Sequence, residues 1–243
     1  MFQEIKQYLV KISGFWFYNV KKLPAGTHLE YFLKYRVKME FKLIFDVGAN
    51  IGKFSGNLNR FFPDSEFYCF EPIGSTFRKL EESLKSNQFH LIQKALGEKQ
   101  EYITIKTNED NRSDENSLLA KNQPIDSKKE EILEVVTLDS FLQNSPISQI
   151  DFLKVDTEGY DLFVLKGARE NLESGKIKFI YVECGLDTSN KYHVHLSEFI
   201  EYLSEFDYCL LGIYQTDLRK VSKKMHFSNA LFCHHSVSNL IKK

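Results

Sequence analysis

Short apolar runs alternate with helical patterns along this chain, and that alternation narrows the fold class more than any other feature. Lys42 to Val47 reads as a strand, Gly52 to Phe62 as a helix, Glu66 to Phe70 as a strand and Ser75 to Leu84 as a helix. Strand-like runs recur at His90 to Ala95, Tyr102 to Ile105, Glu134 to Thr137, Ile150 to Val155, Lys178 to Glu183 and Tyr208 to Ile213. Helical patterns separate several of them, so the expectation is an α/β, Rossmann-like domain with a mostly parallel sheet and helices on both faces. Asn229 to Cys233 suits an antiparallel C-terminal strand completing the sheet edge. Residues 1–40 read as an N-terminal helical extension of two stretches, with a break at Pro24-Ala25-Gly26-Thr27 and Thr27 as the N-cap of the second stretch; residues 41–243 read as the domain itself.

Composition limits the partners. Lysine plus arginine (32) nearly balance aspartate plus glutamate (33), so no whole-molecule field gathers a polyanion and no nucleic-acid partner is expected. Cys69, Cys184, Cys209 and Cys233 are far apart, form no C-x-x-C pair and lie in or at the end of strand-like runs; they read as buried reduced thiols rather than as a disulfide framework or a zinc site. No apolar stretch approaches the roughly 20 residues needed to cross a bilayer, and the N-terminus lacks signal-peptide order, which gives a cytoplasmic expectation. The aromatic segment containing Phe15, Trp16 and Phe17 reads as rings packing a helix onto the domain, with peripheral membrane contact as the second reading. Thr107 to Glu131 is polar and charged, a long loop for which a lid over the site is one reading and a disordered insert the other.

The local signals converge on the carboxyl ends of the strands. Phe45-Asp46-Val47-Gly48-Ala49-Asn50-Ile51-Gly52 is a strand running into a small-residue turn that opens a helix, where open α/β sheets bind ligands. A dinucleotide fingerprint needs glycine at G-x-G-x-x-G, but from Gly48 those positions hold Gly48, Asn50 and Lys53. The turn therefore lacks a pyrophosphate cradle, whereas a sulfonium nucleoside carries no phosphates. Phe70-Glu71-Pro72 ends the second strand about 20 residues after the turn, the spacing of an acid that accepts ribose hydroxyl protons. Asp156 and Glu158 follow the Ile150 to Val155 strand, and Glu183 ends its neighbour. These three carboxylates are candidates for acid–base work. Taken singly, each of them serves a helix cap or a surface ion pair equally well.

The chain resembles the FkbM family of methyltransferases in five ordered blocks spanning roughly residues 41 to 185. They are Asp46-Val47-Gly48-Ala49-Asn50-Ile51-Gly52, Phe70-Glu71-Pro72, Ala95-Leu96-Gly97, Val136-Thr137-Leu138-Asp139, and Phe152 to Tyr160 with Leu165-Lys166-Gly167-Ala168. The resemblance implies a class I methyltransferase fold with S-adenosylmethionine at the strand ends, transferring methyl to oxygen. It implies that Asp46, Gly48, Asn50 and Gly52 surround the methionine and ribose portions and that Glu71, followed by Pro72, takes the ribose hydroxyls. Ala95 and Leu96 then flank adenine, Ser117 is a weaker cofactor contact, and Asp156 faces the methyl group. Thr157 stands where the family commonly has valine.

The expected reaction is direct displacement at the sulfonium methyl by a hydroxyl whose proton a positioned base removes. Asp156 is the first choice, with Glu158 and Glu183 as alternatives or substrate clamps and His193 or His195 as outside candidates more readily explained as exposed loop residues. No metal is assigned, although Asp156, Glu158 and Glu183 offer oxygen ligands for a hard cation. No Asn-Pro-Pro-aromatic motif is present, which disfavours nucleobase amino groups as acceptors. The family resemblance implies a sugar hydroxyl of a glycan or polysaccharide first and a hydroxyl of a secondary metabolite second, and a catalytically inactive cofactor-binding module is the rival outside the enzyme class.

Overall fold

A computed structural model describes residues 12, 19–107, 129–143, 145–187, 190, 192–215 and 227–241. Phe15, Trp16, Phe17 and Ser117, together with most of the expected 107–131 loop, lie outside the described residues. A seven-stranded sheet forms the centre, built from β1 (Leu43–Val47), β2 (Glu66–Phe70), β3 (Phe89–Ile92), β7 (Ile150–Val155), β8 (Ile177–Gly185), β9 (Tyr208–Tyr214) and β10 (Phe227–His234). Its order is β3-β2-β1-β7-β8-β10-β9. The first five pair in parallel, and β10 runs antiparallel to both β8 and β9. All six residues of β7 are buried, as expected for a central parallel strand covered on both faces.

Alternate residues of the strands feed two cores. Phe45, Val47, Leu153, Val155, Ile180 and Val182 face one side; Ile44, Phe152, Phe179 and Tyr181 face the other. Five helices flank this scaffold, α2 (Lys53–Asn59), α3 (Gly74–Ser83), α4 (Leu138–Gln143), α5 (Asp161–Lys166) and α6 (Arg169–Glu173), and a further one, α7 (Leu196–Ser204), carries the chain from β8 to β9. Earlier in the chain, α1 (Leu29–Arg36) buries Leu29, Phe32 and Leu33 in the second core. The Val37–Ile241 bridge ties that segment to the far end of the described chain. Among the described residues no helix is long and apolar enough to cross a membrane.

The structure corrects several expectations. The run from His90 to Ala95 is two strands, because Lys94 N–H turns back to Ile92 O (3.0 Å) and the chain leaves the main sheet. β4 (Ala95–Leu96), β5 (Glu101–Thr107) and β6 (Lys129–Val136) instead make a separate sheet in the order β4-β6-β5. Its hairpin buries Ile103, Ile105, Leu133 and Val135 and exposes Tyr102 and Ile132, the one-sided alternation of a half-solvated antiparallel pair. β10 lies between β8 and β9 rather than at the edge. Ser228 and the run from Ala230 to Cys233 are buried, which suits an interior strand.

His28, not Thr27, occupies the N-cap of α1, and the Thr27 hydroxyl is spent on Pro24 O at 2.8 Å. Three cysteines are buried as free thiols, but Cys209 is exposed because it sits on the edge strand β9, opposite Cys233 with the sulfurs 3.7 Å apart.

Candidate functional site

A cleft of about 700 Å³, counted out to its open mouth, lies at the carboxyl ends of the parallel strands. Val47, Gly48 and Asn50 form one wall, Glu71, Pro72 and Ile73 a second, Lys94, Ala95 and Leu96 a third, and Asp156, Thr157 and Glu158 the fourth. The turn after β1 is possible only with glycine at position 48. Its φ is +74°, and a Cβ there would sit 1.9 Å from Asp156 O. Asn50 follows in the left-handed region at φ +51°, where its short polar side chain is tolerated.

Glu71 ties two loops together. Its Oε2 accepts from Asn50 N–H at 3.1 Å and its Oε1 from Ile73 N–H at 2.9 Å. Burial pushes this carboxyl up to about 7 against the pull of those two donors. Each oxygen keeps a lone pair for a further donor in the cleft.

Beneath the turn lies a charge cluster that the sequence motifs do not advertise. Asp46 is fully buried and accepts from Ser55 Oγ at 2.7 Å. Its strand partner Lys154 points to the same face, with Nζ 3.0 Å from Asp46 Oδ1, 3.3 Å from Asp156 Oδ2 and 2.9 Å from Gly48 O. All three ammonium protons are thereby used. Burial pulls the Lys154 pKa down, but the two carboxylates outweigh it and hold it above the usual lysine range.

The loop after β7 is similarly determined. Glu158 sits at φ +53°, and Asp161 opens α5 by accepting from Thr157 N–H and Gly159 N–H, each at 3.1 Å. Burial, then the neighbouring Asp156 and Glu183 charges, push Asp161 up to about 7. Burial, then Glu183, push Glu158 up to about 8. Glu183 lies at the end of β8 with Oε2 3.2 Å from His193 Nε2, and both side chains are nearly buried.

A family model, the methyltransferase FkbM domain, matches residues 46–210. The chain belongs to the FkbM methyltransferase family. Methyltransferase 1 of Beauveria bassiana is 28% identical over 144 residues, 51% of this chain and 57% of that protein. The crystal structure of methyltransferase FkbM from Methylobacillus flagellatus superposes with a TM-score of 0.52 at 19% identity, covering 80% of this chain and 44% of that one. The chain thus spans about half the length of these relatives. The fold is that of class I methyltransferases.

The FkbM motif residues divide into two groups in space. Gly48, Asn50, Glu71, Pro72, Ala95, Leu96, Asp156 and Glu158 all border the cleft. Asp46 and Gly52 do not line it, and neither does Glu183, which belongs to none of the five blocks: Asp46 lies below the turn in its ion pair, and Gly52 caps α2 against Leu80 and Leu84. The later blocks are architectural. A Cβ on Gly167 would meet Gly97 O at 1.9 Å, and the Asp139 carboxylate caps α6 by accepting from Glu170 N–H (3.0 Å) and Asn171 N–H (3.2 Å).

His195 likewise caps α7, whereas His193 is no exposed loop residue: its ring stacks on Phe227 with centroids 4.8 Å apart. Sequence reasoning omits Lys154 and Lys94. A lysine in the middle of an otherwise apolar strand is the available signal for the first.

Proposed function

We propose that this chain transfers the methyl group of S-adenosylmethionine to a hydroxyl oxygen on a sugar of a glycan or polysaccharide. The observation that carries the cofactor half of the reading is Glu71, a buried carboxylate locked by two backbone N–H groups on the cleft wall with acceptor capacity left for a ribose diol. Gly48 and Asn50 border the methionine portion, Pro72, Ala95 and Leu96 flank the adenine, and Asp156 with Glu158 lines the reacting end. S-adenosylmethionine, when bound, supplies an electrophilic sulfonium methyl.

The protein contributes position and a proton acceptor. Lys154 holds Asp156 Oδ2, which leaves Oδ1 to take the hydroxyl proton as the oxygen–methyl bond forms and the sulfur keeps the electron pair of the bond that breaks. Asp46 acts through Lys154 and is a positioning residue. At the reacting end Asp156 and Glu158 line the cleft and offer hydrogen-bond acceptors to a polyhydroxyl compound, which supports a sugar as the acceptor.

The test is methyl transfer from isotopically labelled S-adenosylmethionine to a panel of neutral oligosaccharides, with RNA as control. An O-methyl ether detected by NMR on a sugar supports the reading. Label found only on RNA would overturn the acceptor class, and no stabilisation by S-adenosylhomocysteine would overturn the cofactor assignment.

A further inference from the structure

Where the loop after β7, the end of β8 and the segment leading to α7 meet, three metal-ligating side chains converge. We propose that Glu158, Glu183 and His193 form a binding site for a divalent first-row transition cation at the acceptor end of the cleft. One donor atom from each lies within 4.8 Å of the others. His193 Nε2 and Glu183 Oε2 are 3.2 Å apart, the edge that two donors make when each is about 2.1 Å from one ion at roughly 90–110°. Glu158, the less buried of the two carboxylates, offers the third donor within 4.8 Å of the other two. Two carboxylate oxygens and one imidazole suit Mn²⁺ or Zn²⁺ better than Mg²⁺ or Ca²⁺, which favour oxygen alone.

Two independent features support a built site. The first is the outer shell of the histidine. Its Nδ1 faces the Asn190 side chain, 3.1 Å from Nδ2 and 3.4 Å from Oδ1, and its ring is held flat against Phe227. Asn190 is fixed in turn by accepting from Tyr192 N–H at 2.8 Å and His193 N–H at 3.2 Å. Nε2 is therefore directed at Glu183, and Asn190 Oδ1 is placed to accept a hydrogen bond from Nδ1–H when Nε2 turns to a metal.

The second feature is the burial of the facing donors: the His193 and Glu183 side chains are only 8% and 10% exposed, with Nε2 and Oε2 turned toward each other, an arrangement that a cation between them satisfies. Three protein ligands leave positions for water and for an acceptor oxygen, so the inference rests on the methyl-transfer reading for its role but not for its test.

The test uses the full chain without a polyhistidine tag, stripped with a chelator and titrated calorimetrically with Mn²⁺ and, separately, Zn²⁺. Electron paramagnetic resonance follows the loss of the free Mn²⁺ signal. The expected result is saturable binding of one ion, weakened at least tenfold in Glu183→Gln and in His193→Gln, and more modestly in Asn190→Ala. S-adenosylhomocysteine affinity, measured in parallel, stays within about twofold of the parent and shows that the variants are folded. Absence of saturable binding of either ion, or binding that these variants leave unchanged, overturns the site. A parent that binds the ion but not S-adenosylhomocysteine sinks the methyltransferase reading and leaves the metal site standing.

Discussion

Replacing Lys154 with methionine keeps the length and apolar stem of the side chain while removing its charge, and the cost comes from the carboxylate left behind. Asp46 is fully buried and retains only the Ser55 hydroxyl. Its carboxylate becomes an uncompensated charge in the apolar layer formed by Ile44, Phe152 and Tyr181. Breaking a buried pair in this way costs about 3–5 kcal/mol, which for a chain of this size lowers Tm by roughly 6–20 °C. Removing both charges in Asp46→Asn with Lys154→Met returns most of that loss, because no orphaned ion remains.

Urea unfolding followed by far-UV circular dichroism at pH 7 measures both variants against the parent. A loss below about 1 kcal/mol for Lys154→Met, or no recovery in the double variant, would refute the claim that the pair is a mutually dependent buried ion pair. S-adenosylhomocysteine affinity should fall as well in Lys154→Met, since Gly48 O and Asp156 lose their common donor.

Other outcomes rest on the same geometry. Glu71 titrates near 7 in the folded protein and near 4.5 unfolded, so its ionised form is disfavoured on folding and its stability contribution falls as pH rises from about 4.5 to 7. Ligand binding has the opposite sign: a ribose diol needs the carboxylate as acceptor, so S-adenosylhomocysteine should bind roughly tenfold more weakly at pH 6 than at pH 8. Glu71→Gln should flatten that calorimetric profile. Gly48→Ala places a methyl on Asp156 O and should abolish nucleoside binding, read by thermal shift, even in any fraction that folds. A thiol reagent should modify Cys209 alone of the four cysteines in native protein, since burial pushes Cys69, Cys184 and Cys233 up to about 12; mass spectrometry finding a second rapidly labelled site would contradict this.

Much of the cleft is legible in the sequence because its residues answer to local backbone rules. Gly48 must be glycine where the turn meets the next strand's end, and Glu71 must end β2 to reach Asn50 N–H. The features that escape sequence reading depend on partners distant in the chain. Lys154 is interpretable only when β1 is known to lie beside β7. His193 looks like a loop residue until Glu183 and Phe227 close around it. The Tyr102–Ile105 and Glu134–Thr137 runs are genuine strands, but nothing local shows that they leave the main sheet. The position of β10 is likewise a matter of topology: an apolar run fits an edge or an interior slot equally well until its neighbours are known.

That interior slot bears on how the chain folds during synthesis. β8 and β9 are made before β10, yet each must wait for residues 227–234 to supply its hydrogen-bonding partner. Until then the emerging polypeptide exposes one edge of β8 and an unpaired β9, both apolar and open to pairing with another chain. The sheet therefore closes only when β10 arrives, and the interval before closure is when its strand edges are most open to pairing with another chain.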